Sequence, residues 1–112
     1  MKNKRLYEET GGIRVGHSYW FSSNYTWPFA KLRIYKDKVI IDYRFSKLFF
    51  NRKEIIGLEK YKSLFSFLGA AGIRIQHKKS KSPKFIIFWS LSPDNTLNEF
   101  KKRGYKIIKN EI

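Results

Sequence analysis

A strict alternation of apolar and polar side chains runs through AKLRIYKDKVIIDYRF, residues 30–45, and it fits a β-hairpin better than any other local structure. Ala30, Leu32 and Ile34 fall on one side, with Lys31, Arg33 and Tyr35 on the other. Beyond a KDK turn, Val39, Ile41, Tyr43 and Phe45 continue the apolar side against Ile40, Asp42 and Arg44. Such a hairpin buries one face and wets the other, so it needs further strands or a helix to cover it.

The rest of the chain supplies them. IRVGHSYWFSS reads as a first strand interrupted by Gly16, and KLFFN, EIIGLEKYK, GIRIQHK and KFIIFWSL read as the fourth to seventh. One helix is predicted, over SPDNTLNEFKKRG. Ser92 stands at its N-cap, Pro93 at the first helical position and Asp94 in the first turn; Lys101, Lys102 and Arg103 close the last turn before Gly104. Leu97 and Phe100, three apart, would face the core, and YKII returns to an extended form. Seven short strands followed by a helix describe an antiparallel barrel or sandwich with one end covered.

At 112 residues the chain is expected to be one domain, 1–112, with residues 1–12 as a loose arm. Hydrophobic residues at 42% and aromatics at 18% are enough to build its core. No cysteine is present, which excludes disulfides, thiolate metal sites and thiol nucleophiles. The opening MKNKRLYEETGG has no apolar run behind it, and FIIFW falls far short of the roughly 18 residues a membrane helix needs. The expectation is a soluble, cytoplasmic protein, with peripheral attachment at the inner membrane face as its membrane-bound variant.

Charge is the most extreme bulk property: 24 Lys and Arg against 9 Asp and Glu, a net of +15. Part of it is local, because no acid occurs from Lys60 to Pro93 while Lys60, Lys62, Arg74, Lys78, Lys79, Lys81 and Lys84 all fall there. Such a surface concentrates anionic partners, whether membrane, acidic protein or nucleic acid, although compositional bias alone also produces lysine-rich chains.

Two runs carry a resemblance. Asn24, Thr26, Pro28, Ala30 and Leu32 form an Asn-x-Thr-x-Pro-x-Ala-x-Leu run, and Gly72 to His77 form Gly-Ile-Arg-Ile-x-His. With EIIGLEKY between them and FIIFWS, a short helix and GYKI after them, the chain from about Tyr19 to Ile108 resembles the bacterial pleckstrin-homology-like (PH-like) domains. The resemblance implies a mainly β fold, a bent barrel of two near-orthogonal antiparallel sheets with about seven strands, closed at one end by a C-terminal helix. It implies no single activity, since this scaffold serves lipid binding, peptide binding and assembly alike.

By the same resemblance, the loops after the first, third and sixth strands gather at one open end. The first, SNYTWP, is aromatic where phosphoinositide binders are basic, and only Lys31 and Arg33 on the second strand keep the basic pattern. The third, HKKSKSPK, offers Lys78, Lys79, Lys81 and Lys84, and shares its end with Tyr25, Trp27 and Lys47. It reads either as a phosphate-holding loop or as a solvated turn that discourages strand pairing. The apolar LFSFLGAAG, residues 64–72, reads as core with Gly69 and Gly72 at a tight corner, against the alternative of a membrane-inserting loop.

The expected function is a non-catalytic binding module for a protein partner or an anionic membrane. The alternative is a nucleic-acid-binding β-domain using Tyr25, Trp27, Tyr35, Lys31 and Arg33, disfavoured because most aromatics fall on the inward face of the alternation. A small basic ribonuclease would need Glu54, Arg74 and His77 as acid, base and phosphate groups, and nothing in their spacing favours it. No catalytic residue, metal ligand set or cofactor is expected.

Overall fold

The structure is a computed structural model and describes residues 6–18, 20–62 and 71–109. Eight strands and one helix follow in order: β1 (Tyr7–Gly16), β2 (Ser22–Ile34), β3 (Lys38–Tyr43), β4 (Ser46–Asn51), β5 (Ile55–Tyr61), β6 (Ala71–His77), β7 (Phe85–Ser90), α1 (Pro93–Lys102) and β8 (Ile107–Ile108). A 3-10 turn, Arg52–Glu54, joins β4 to β5.

The strands form one sheet in the order β4-β3-β2-β1-β7-β6-β5-β8, curled into a half-barrel. This corrects the expectation of two near-orthogonal sheets of about seven strands. The sheet is continuous because β1 pairs with both β2 and β7, and the eighth strand arises because Ile107 and Ile108 pair in parallel with Leu58 and Glu59 of β5. Two further expectations change. Residues 7–12 are no loose arm but the first part of β1, and IRVGHSYWFSS is not one strand, since β1 ends at Gly16 and β2 begins at Ser22, opposite Gly16 and antiparallel to it.

The hairpin alternation is present residue for residue over most of its length. Leu32, Ile34, Val39 and Ile41 are fully buried, together with Ile13, Phe50, Leu58, Ile73, Ile75, Phe88 and Phe100. Phe45 departs from it. Arg44, at φ 52, turns the chain between β3 and β4, and Phe45 at the tip of that turn is 96% exposed. The alternation holds only while the backbone stays extended. Gly72, expected at a corner, lies inside β6; residues 64–70 of LFSFLGAAG lie outside the described residues.

Helix α1 begins where its sequence signals put it, with Ser92 as N-cap and Pro93 at the first position. The Ser92 side chain makes no cap bond, however. The hydroxyls do a different job there: the Ser92 N–H donates to Ser90 Oγ, and the Ser90 and Thr96 hydroxyls, both buried, donate to the two carboxylate oxygens of Glu9, with Tyr7 OH donating to one of them at 3.1 Å. The carboxylate of β1 thus ties β7 and the start of α1 together, each of its two oxygens meeting at least one donor. At the other end, Arg52 donates to the carbonyls of Lys36, Arg103 and Gly104 at 2.7–2.9 Å and lies over the Tyr105 ring, clasping the β2–β3 turn to the helix terminus. Burial pushes the Tyr105 phenol up to about 12, and its OH donates to the Tyr35 carbonyl at 2.8 Å. Among the described residues no helix is long and apolar enough to cross a membrane.

Within α1, Glu99 accepts from Arg103 at 2.7 Å, and this bond holds the carboxyl below the ordinary glutamate range. A lowered folded-state value means that the pair stabilises the helix above the unfolded glutamate value of about 4.3 and that this contribution fades as pH falls through the folded value. The expected outcome is a loss of about 0.5 kcal/mol below pH ~4, absent in Glu99→Gln; urea unfolding of both chains across pH 3–6 measures it.

Candidate functional site

The basic loop between β6 and β7 is built around His77. The Lys79 N–H donates to His77 Nδ1 at 3.0 Å, so the proton sits on Nε2, which donates to the Pro83 carbonyl at 2.6 Å. The ring also packs on Phe50, centroids 4.6 Å apart. His77 therefore pins both limbs of the loop.

The four lysines of the loop are not equivalent. Lys79 is half-buried: its Nζ donates to the Phe49 carbonyl at 2.5 Å and lies over the rings of Phe49 and Phe50 at 5.5 and 5.7 Å. Lys78, Lys81 and Lys84 are exposed. Lys78 is held by its backbone alone, its N–H donating to the Glu54 carbonyl at 2.9 Å. Three cations thus stand out from a loop whose root is fixed.

The segment SNYTWP is not a loop. It lies within β2, whose register against β1 passes from Ala30 opposite Gly11 to Tyr25 opposite Ile13. Thr26–Phe29 consequently bulge out opposite Gly12 alone, with a cis peptide between Trp27 and Pro28. Gly12 permits the close approach, because a Cβ there would stand 2.6 Å from the Tyr25 carbonyl oxygen. The bulge leaves Trp27 57% and Phe29 52% exposed, while Tyr25 turns inward and meets Tyr43 with ring centroids 5.3 Å apart.

The β3–β4 turn joins this bulge. Arg44 N–H donates to the Phe29 carbonyl at 3.3 Å, and the Arg44 guanidinium lies 5.6 Å from the Phe45 ring. Lys31 and Lys47 are exposed nearby in register, both opposite Asp42 of β3, and Lys47 Nζ is 3.8 Å from that carboxylate. Arg33 is committed to the sheet, paired to Glu8 at 2.9 Å and to Asp42. Those two carboxylates hold its charge above the ordinary arginine range.

Of the residues proposed from sequence, Tyr25, Trp27, Lys31 and Lys47 therefore belong to one neighbourhood, with Phe29, Arg44 and Phe45 added to it. Lys78, Lys81 and Lys84 form the exposed part of the loop, and Lys79 and Arg33 are used internally. Most of the described aromatics are buried or half-buried, and the exposed ones are Trp20, Phe21, Trp27, Phe29, Phe45 and Phe49. The proposed catalytic trio has other employment. Glu54 accepts the Asn51 N–H, Arg74 packs over Phe85 and His77 closes the loop. Among the described residues no three His, Asp or Glu side chains gather as metal ligands would.

By sequence, no protein-family model and no curated protein matches the chain.

Proposed function

We propose that the chain is a non-catalytic binding module with a PH-like fold that attaches to an anionic membrane surface. The order of elements supports the fold assignment: four strands meander, three more return antiparallel and a helix follows the seventh. The observation that carries the function is the β6–β7 loop, anchored by His77 and Lys79 so that Lys78, Lys81 and Lys84 are presented to solvent within a stretch free of acids from 60 to 93. A binding role accords with five carboxylates whose side chains are occupied by hydroxyls (Glu9), by a backbone N–H (Glu54) or by arginine (Glu8, Asp42, Glu99).

Each lysine near an anionic bilayer contributes up to about 1 kcal/mol, and about 3 kcal/mol from the loop falls short of the ~4 kcal/mol of a millimolar complex. The loop steers and holds the module at low salt, and screening erodes that hold as salt rises. The test is co-sedimentation with phosphatidylcholine vesicles with and without phosphatidylserine, at low and physiological salt. Binding that needs phosphatidylserine is expected, weakened by up to about 1 kcal/mol for each of Lys78→Gln, Lys81→Gln and Lys84→Gln. Equal binding to neutral vesicles, or no effect of the three substitutions combined, sinks the assignment.

A further inference from the structure

We infer that the β2 bulge and the β3–β4 turn form one apolar wedge, with Trp27, Phe29 and Phe45 as the side chains that enter the interfacial layer of an anionic bilayer. This rests on the membrane-binding reading above and identifies the surface that supplies affinity beyond the lysines. The two segments come from different hairpins yet act as a unit, because the Arg44 N–H is bonded to the Phe29 carbonyl and the Tyr25–Tyr43 ring pair lies next to the junction. The sheet spends structure on exposing these rings: Thr26–Phe29 stand opposite a single glycine, and Phe45 sits at the tip of a tight turn at 96% exposure. Three neighbouring large aromatics left in water are not the normal condition of an isolated surface residue.

Charge selects the occupant. Arg44 lies over the Phe45 ring, exposed Lys31 and Lys47 follow Phe29 and Phe45 by two residues, and the nearby acid, Asp42, is shared between Arg33 and Lys47. Aromatic side chains prefer the headgroup level of a bilayer, where the ring is desolvated while flanking cations meet lipid phosphates and carboxylates. A projecting tip also suits a deformable layer, whereas a protein partner would have to offer a matching apolar pocket lined with acids.

The experiment compares the wild-type chain with Phe29→Ser/Phe45→Ser and with Phe45→Ser alone on phosphatidylcholine–phosphatidylserine vesicles at physiological salt, with an RNA oligomer as competitor. Phe45 makes too little contact for its loss to unfold the chain, so the single variant keeps the test valid if the double variant proves unstable. The expected result is a double variant bound on the order of tenfold or more weakly, equivalent to about 1.4 kcal/mol, and an intermediate single variant, both retaining low-salt binding through the loop lysines. If the wild type binds and both variants bind equally well, the wedge is overturned while the lysine reading stands. Failure of the wild type to bind at either salt overturns both, and displacement by RNA reassigns the surface to nucleic acid.

Discussion

Phe88→Ala is expected to cost about 3–5 kcal/mol of folding stability. Phe88 is fully buried on β7, directly between Ile13 of β1 and Ile73 of β6, which are themselves fully buried. This is the row at which the four-strand meander and the returning strands become one sheet, so the surrounding backbone is hydrogen-bonded on both sides and has little freedom to collapse into the vacated space. The lost amount is a large share of the roughly 5–15 kcal/mol that holds a domain of this size. Urea unfolding followed by circular dichroism measures it: the midpoint should fall at an unchanged slope. A loss below about 1 kcal/mol would mean that β7 is not the junction described.

Gly11→Ala is expected to cost about 3 kcal/mol or more, although it adds one methyl group. A Cβ at Gly11 would lie 2.3 Å from the Trp89 carbonyl oxygen and 2.6 Å from the Phe88 ring. The first contact is with backbone, which cannot rotate aside as a side chain can. Relief requires β1 to part from β7, and that movement would carry Gly12 and the β2 bulge with it. The same unfolding assay, joined to vesicle binding of whatever remains folded, should show stability and binding falling together. Wild-type stability in this variant would contradict the close approach of the Trp89 carbonyl and the Phe88 ring to Gly11.

The regular parts of this fold were legible because they rest on local rules. The period of two over 30–43 gave the hairpin and its inward residues, and Pro93, Asp94 and the terminal lysines gave the helix and its direction. What the residues did not reveal depends on partners distant in sequence. The excursion of Thr26–Phe29 is invisible until β1 supplies Gly12 opposite it, and the commitment of Arg33 is invisible until the registers bring Glu8 and Asp42 to either side. Phe45 leaves the alternation for a local reason, since β3 ends at Tyr43 and Phe45 lies in the turn itself. Phe29 had a signal that went unused: it precedes Ala30, which begins the inward series, and so stood on the outward side. Lys79 looked like its three neighbours, and only the arrival of β4 beside the loop separates them.

That last contact bears on how the molecule behaves in a crowd. β4 is the outermost strand at one end of the sheet, where unpaired amides normally invite a strand from another molecule. Lys79 occupies the Phe49 carbonyl and Glu54 occupies the Asn51 amide, so the far half of this border is already capped by the chain itself. An incoming strand must first displace a lysine packed on two rings, and at the opposite border Ile107 and Ile108 of β8 cover Leu58 and Glu59 of β5. Along that half of β4 the backbone is closed to a neighbour's strand, and what the molecule offers there is the exposed ring of Phe49.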